Sequence, residues 1–185
     1  ALEGLQQIRG LSTTPDARWL VVVSRGEKGQ TLLSRVSIPE GRLETIGEEP
    51  STLTTRGDHP RVSPDGRWVA FSDDTDVYVR SMTGSGRAQA SDGGGSKPVW
   101  SRDGRRIFYS APAGTIVATL DLGSGVKVLS RTPVPAIPQD DVIVDVAPDG
   151  KTLLLQSPVG QRARAVVALN WAQSISRELR KGKGR

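Results

Sequence analysis

Short apolar runs recur along the chain, and each follows a polar turn built around an aspartate. The runs are Leu20–Val23, Val69–Phe71, Ile107–Tyr109 and Leu153–Leu155. They are rich in β-branched and aromatic residues and too short for helices, so they predict buried strands. The pattern is typical of an all-β chain with many tight turns.

The turns that precede these strands form a fourfold repeat. Their aspartates are Asp16, Asp65, Asp103 and Asp149, so the spacings are 49, 38 and 46 residues. The shared Pro-Asp-Gly pattern, near residues 15–17, 64–66, 102–104 and 148–150, has a physical reason. Proline presets the first central position of a turn, aspartate bonds its own backbone, and glycine accepts positive φ. Ala17 replaces the glycine and Arg102 replaces the proline, so we expect these two turns to be less well specified.

The residues between the turns complete each unit. After Phe71 the chain reads acidic loop, alternating strand Val77–Arg80, Gly-rich turn, and a weak strand over Arg87–Ser91. A unit of four short strands at a period of ~40–50 residues predicts a blade of a β-propeller. We therefore expect propeller repeats over residues 1–171 and a basic helix or tail over 172–185.

Ring closure has two interpretations at this stage. The last unit shows three strands, and Leu5–Arg9 offers an orphan strand before the first turn. If that strand completes the last blade, four blades form a small closed ring. If it does not, the chain is part of a larger propeller, and the open blade edges could support a homodimer.

Composition narrows the possible chemistry. The chain has 185 residues, 21 glycines, 12 prolines and no cysteine, which excludes disulfides and thiolate metal sites. The net charge is +5, of which +4 lies in Arg177–Arg185, so the remainder is close to neutral. We interpret the basic tail as a solvated terminus and expect no nucleic-acid partner. No apolar run reaches the ~18 residues of a membrane span.

The motifs Ser63-Pro64-Asp65-Gly66-Arg67 and Pro98-Val99-Trp100-Ser101-Arg102-Asp103-Gly104 resemble the WD40-like repeats of the TolB-like β-propeller family. The resemblance runs from about residue 5 to residue 170. The segment Val166–Trp171 is similar to the closing segment of propellers attached to bacterial serine/threonine kinases. These resemblances imply a bacterial protein in the periplasm or the cytoplasm, with a rigid disc that binds protein partners and does not catalyse.

His59 and Trp100 are the candidate binding residues. His59 is the only histidine, and it precedes the inner strand of the second unit, where it would lie near the channel mouth. A catalytic role is disfavoured because no Gly-x-Ser-x-Gly nucleophile elbow accompanies it. Trp100 lies on the next inner strand, where it would pack in the core or line the channel.

Asp73, Asp74 and Asp76 are the weak candidates for a metal site. Three carboxylates in one loop could ligate Ca²⁺, which takes six to eight oxygens. The loop lacks the glycine and the later glutamate of a Ca²⁺ loop, so the simpler interpretation is a solvated turn. We expect no resident cofactor.

The sequence therefore predicts a non-catalytic scaffold for protein interaction or ligand sensing, with a protein partner or small ligand at the channel mouth. It could be the C-terminal portion of a kinase-type or TolB-like protein. The alternative is the substrate-gating propeller of a prolyl-oligopeptidase-type hydrolase, which would need a catalytic domain that this chain lacks.

Overall fold

The computed structural model describes residues 6–49, 60–73, 75–84, 86–159 and 162–168, and every element in these ranges is a strand. The first sheet contains β1 (Gln6–Thr13), β2 (Trp19–Arg25), β3 (Thr31–Ser37) and β4 (Leu43–Glu49). The second contains β5 (Arg61–Val62), β6 (Trp68–Ser72), β7 (Val77–Ser81) and β8 (Arg87–Gln89). The third contains β9 (Ser96–Trp100), β10 (Arg106–Ala111), β11 (Gly114–Asp121) and β12 (Lys127–Pro133). The fourth contains β13 (Val142–Val146), β14 (Leu153–Val159) and β15 (Arg162–Ala168).

Each sheet is an antiparallel meander whose strands pair in chain order. The first strand of each sheet is the inner one, and β5 contacts both β1 and β9, while β9 also contacts β13. Sheets that follow one another in the chain are therefore neighbours in space, and their inner strands lie next to one another on one side of the array. This arrangement confirms the all-β prediction and its order of strand, turn and strand within each unit.

The packing between sheets follows from the alternation of side chains along the second strand of each unit. Residues three, five and seven positions after the turn aspartate face the next sheet, and residues four and six positions after it face the preceding sheet. Val21 and Val23 thus pack with Val69 and Phe71 of the second sheet. The next two interfaces repeat the rule with Trp68 and Ala70 against Ile107 and Tyr109, and with Phe108 against Leu153 and Leu155.

At each of the two ends of this array, an apolar side chain is exposed and faces no described sheet. Leu154 lies five residues after Asp149 and is 37% exposed, and Leu11 on β1 is 51% exposed. Among the described strands, no substantial contact joins the first sheet to the fourth. The described sheets therefore form an arc.

The position of the N-terminal strand decides between the two interpretations of closure. β1 pairs with β2 through a register that includes Leu11↔Val22 and Thr13↔Leu20, so it is the inner strand of the first sheet. The expectation that Leu5–Arg9 might complete the last blade is wrong. The physical reason is local, since an antiparallel neighbour across a short turn is reached at little entropic cost.

The predicted helix or tail over 172–185 lies outside the described residues. In the described part of the chain, no helix has the length and apolar character that a membrane span requires.

Candidate ligand-binding cleft

A hydroxyl and a carboxylate close each of the first three repeat turns. In the second, the Ser63 hydroxyl donates to Asp65 Oδ1 at 2.6 Å and accepts from the Trp68 amide at 3.0 Å. Asp65 Oδ1 also accepts from the Arg67 amide at 3.1 Å. Thr14 with Asp16 and Ser101 with Asp103 repeat this geometry. We call the four turns, residues 14–18, 63–67, 101–105 and 147–151, the turn rim.

In the fourth turn, the hydroxyl that bonds the aspartate comes from a residue after the aspartate. Ala147 has no hydroxyl, and Thr152 instead donates its hydroxyl to Asp149 Oδ2 at 2.7 Å. The amides of Lys151 and Thr152 donate to Asp149 Oδ1 at 2.8 and 2.9 Å. The carboxylate is thus the element common to all four turns.

Positive φ at the turn position explains the glycine of the repeat. Gly66, Gly104 and Gly150 have φ of 73°, 67° and 66°, and Ala17 adopts 54° at the corresponding place. A residue with a Cβ pays a steric penalty in this region. The first turn therefore keeps the geometry of the others with some strain at Ala17, and its being less well specified stays a prediction.

The turns of successive sheets also contact one another. A Cβ on Gly66 would lie 3.6 Å from Pro15 Cδ, and one on Gly104 would lie 3.7 Å from Pro64 Cδ. Arg102 takes the place of this proline, and its Nε donates to the carbonyl of Val146 at 2.7 Å in the fourth sheet. Arg102, which the sequence predicts to make its turn less well specified, therefore adds a hydrogen bond between two sheets.

The hydrogen bonds of the turn rim lower the pKa of all four aspartates. At Asp65 and Asp103, burial raises the pKa, but the hydroxyls of Ser63 and Ser101 and the neighbouring arginines outweigh burial and hold it below the ordinary value. At Asp16 and Asp149, the hydroxyls of Thr14 and Thr152 lower the pKa first, followed by the backbone amides. The rim carboxylates are thus ionised and already engaged.

Two clefts lie along the turn rim, with volumes of about 460 and 680 Å³. Two of their cations are engaged: Arg67 pairs with Asp65 at 2.8 Å, and Arg35 pairs with Glu44 at 2.7 Å. Arg35 in addition covers the ring of Trp19 at 4.3 Å. A ligand at the rim would have to compete with these internal partners.

A different cleft lies where the inner strands of the last three sheets meet. Its volume is about 260 Å³. The described residues that line it are Arg61, Lys97, Pro98, Val99, Val142, Ile143, Val144 and Gln156. We call it the inner-strand cleft. Its residues on β9 and β13 come from the beginnings of those strands, which is the end opposite the turn rim.

The two cations of the inner-strand cleft are free. Neither Arg61 nor Lys97 forms a side-chain hydrogen bond or an ion pair with any other part of the protein that the structure describes. None of the described residues that line the cleft is acidic. The cleft therefore has an uncompensated positive charge beside apolar walls, a combination that favours an anion.

Lys97 also has an unusual backbone. Its φ is +54°, in the left-handed region, where a side chain costs on the order of 1 kcal/mol. The β9–β10 ladder is interrupted nearby, with a register shift between the pairs of Phe108 and Ser110. The irregularity changes the direction of the strand where Lys97 enters the cleft, as irregularities near binding sites often do.

Trp100 lies behind this cleft. It is 6% exposed and packs between the second and third sheets with Trp68 and Ile107. Its indole Nε1 donates to the carbonyl of Arg61 at 2.8 Å, which fixes the backbone that carries one of the two free cations. These contacts favour a packing and positioning role, and direct contact of Trp100 with a ligand stays a prediction.

The other sequence candidates have different outcomes. His59 and Asp74 lie outside the described residues. Asp73 Oδ1 accepts from the amides of Thr75 and Asp76 at 2.9 and 2.7 Å. Asp76 accepts from the Ser91 hydroxyl at 2.6 Å. Asp73 closes its own loop, Asp76 is bonded to the segment after β8, and metal binding there stays a prediction.

Sequence reasoning missed the cleft cations. Arg61 and Lys97 each precede a repeat turn by a few residues, but no motif distinguishes them from solvated surface charges. The Lys97-Pro98 pair at the start of β9 is a local signal of an irregular backbone, because proline restricts the backbone conformation of the residue before it.

Solved structures with this architecture share its fold. TolB from Acinetobacter baumannii matches with a TM-score of 0.63 at 16% identity, over 92% of this chain and 42% of that one. A candidate TolB from Agrobacterium tumefaciens matches with a TM-score of 0.63 at 20% identity, over 89% of this chain and 58% of that one. The protein has the β-propeller fold.

A third propeller in this group belongs to an enzyme. The propeller domain of the Trilobed protease from Pyrococcus furiosus matches with a TM-score of 0.56 at 13% identity, over 88% of this chain and 54% of that one. The chain spans about half of the length of these structures. It matches no protein-family model, and no curated protein matches it significantly. The four sheets are thus propeller blades, and the inner-strand cleft faces the propeller axis.

Proposed function

We propose that this propeller segment is a non-catalytic binding scaffold, and that a protein partner or ligand docks in the inner-strand cleft. The observation that carries the proposal is the pair of free cations, Arg61 and Lys97, at a strained point of the innermost strands. On the turn rim, in contrast, the four aspartates are engaged within their own turns, and Arg102 bonds the fourth sheet. Backbone strain at a residue whose side chain has no partner within the protein is a common feature of binding sites.

The alternative is a substrate-gating propeller of a peptidase. The likeness to the propeller domain of the Trilobed protease concerns the fold. The described residues that line the cleft include no serine, histidine or carboxylate that could act as a nucleophile or base, which supports a non-catalytic role for the cleft itself. A gating function would need catalytic residues on another domain. The scaffold function accounts for the cleft without a further domain.

Mapping by NMR tests the location of binding. We expect a library of small charged and apolar compounds to perturb the amides of Lys97, Val99 and Val142–Val144 before those of the turn rim. Val142→Trp, which fills the cleft, should abolish these perturbations. Ile38→Trp is the matched control, because Ile38 is 50% exposed and lines neither the inner-strand cleft nor the two rim clefts.

Two results would contradict the proposal. One is a set of perturbations confined to the turn rim and unaffected by Val142→Trp. The other is turnover of a chromogenic peptide substrate by the purified chain.

A further inference from the structure

We infer that the inner-strand cleft recognises a carboxylate group joined to an apolar body. This inference rests on the proposed binding function and adds the chemical class of the ligand. Three properties of the cleft lead to it: its free cations, its apolar walls, and extended lining strands whose backbone N–H groups do not converge on one point.

The cations supply the attraction. Arg61 on β5 and Lys97 on β9 belong to neighbouring inner strands and line the same cleft of about 260 Å³. Two like charges near one small space repel each other, and an anion between them removes this repulsion and gains charge-assisted hydrogen bonds. A metal cation would increase the repulsion.

The walls require an apolar body on the ligand. Pro98, Val99, Val142, Ile143 and Val144 contribute aliphatic surface. Pro98, Val99 and Ile143 are themselves buried, so the walls are firm parts of the blade core. An inorganic anion would leave this surface in water, whereas an aliphatic or aromatic group attached to the anion would cover it.

The donors available in the cleft fit a carboxylate better than a phosphate. Phosphate sites commonly present several free backbone N–H groups, as at a helix N-terminus or a nest. Here the lining backbone belongs to antiparallel ladders, in which Val99 pairs with Phe108 and Ile143 with Leu155. Successive N–H groups of an extended strand point to opposite sides, so these strands do not present the converging N–H groups of a nest. The side-chain donors of the described lining are the Arg61 guanidinium, the Lys97 ammonium and the Gln156 amide, which suits the few acceptor positions of a carboxylate.

Such a carboxylate could come from a free aliphatic acid or from the C-terminus of a peptide. Octanoate represents the first source, with octanol as its neutral counterpart. The peptide acetyl-Gly-Gly-Leu with a free C-terminus represents the second, with its amide as the neutral counterpart. NMR titration that follows the amides of Lys97, Val99 and Ile143 gives the affinity of each probe.

We expect at least one acid to bind about tenfold or more tightly than its neutral counterpart, as for hydrogen bonds to charged groups. Lys97→Gln should reduce that advantage to near unity. Lys97→Gly should do the same while keeping the positive φ at no strain, which separates loss of charge from loss of structure. Lys127→Gln is the control, because Lys127 is an exposed cation on β12.

A preference for octanoate would identify a free acid, and a preference for the peptide acid would identify a chain terminus. Equal binding of acids and neutral counterparts in the cleft would overturn the carboxylate inference and leave the scaffold function standing. An acid preference that survives both Lys97 variants would also overturn it. Perturbations only outside the cleft, for every probe, would overturn the scaffold proposal as well.

Discussion

The turn rim and the inner-strand cleft use charge in opposite ways, although both are built from the same blades. On the rim, every turn aspartate has a hydroxyl and backbone partners, and even Arg102 bonds the next blade. In the cleft, Arg61 and Lys97 have no partner among the described residues. Internal satisfaction of polar groups stabilises a fold, whereas unsatisfied cations beside an apolar wall remain available to a ligand. The comparison assigns stability to the rim and binding to the cleft.

The largest effect should come from removing a rim hydroxyl. Ser63→Ala leaves the buried Trp68 amide without its acceptor and removes one of the donors to Asp65, so we expect a loss of about 1–3 kcal/mol in the free energy of unfolding. Ala147→Ser is the matched change in the fourth turn, where Thr152 already bonds the aspartate. It should alter stability little. Urea denaturation measures both, and equal effects would contradict the role given to the hydroxyl.

The next effect concerns the glycine of the turn. Gly66→Ala places a Cβ at φ of 73° and close to Pro15, so we expect a loss of about 1 kcal/mol. Ala17→Gly makes the reverse change at φ of 54° and should stabilise the protein by a smaller amount, because glycine also makes the unfolded chain more flexible. Thermal denaturation of the two variants would refute the account if both moved stability in the same direction.

Acid should weaken the rim through its aspartates. The folded protein holds the pKa of Asp65 and Asp103 below the ordinary value of 3.8, so it binds fewer protons than the unfolded chain in this range. Their contribution to stability is present above pH 3.8 and is lost as the pH falls below it toward the folded values. Asp65→Asn should reduce the acid dependence of unfolding, and Lys97→Gln should not. An identical acid profile for wild type and Asp65→Asn would contradict this.

The smallest effect on stability should come from the cleft. Lys97→Gly removes a strained side chain with no described partner, and the strain relief roughly offsets the entropic cost of glycine. We expect the melting temperature to stay the same or rise slightly, whereas a clear decrease would show that Lys97 supports the fold. Differential scanning calorimetry under the conditions used for Ser63→Ala gives the direct comparison.

The rim could be predicted from the sequence because its chemistry is local. Each turn places its hydroxyl, its aspartate and the glycine or Ala17 with positive φ within six residues, and Trp68 and Ile107 follow at fixed offsets that alternate between blade faces. The sequence therefore shows the turns and the strands after them.

The cleft could not be predicted because it depends on three strands from three blades. Arg61, Lys97 and Val142 are far apart in the chain, and their meeting follows from how the blades succeed one another. The bond from Arg102 to Val146 has the same origin. The inner position of β1 was missed because its pairing with β2 and a pairing with the last blade both fit the pattern of its residues.

The most direct test of the division between rim and cleft compares two arginines close in the sequence. Arg61 lines the cleft without a partner, and Arg67 is tied to Asp65 on the rim. The measurement is the increase in melting temperature that octanoate, or the peptide acid if it binds more tightly, causes in wild type, Arg61→Gln and Arg67→Gln. The account predicts that Arg61→Gln abolishes the increase and that Arg67→Gln preserves it. An increase that is lost in Arg67→Gln and kept in Arg61→Gln would place binding on the rim and contradict the account.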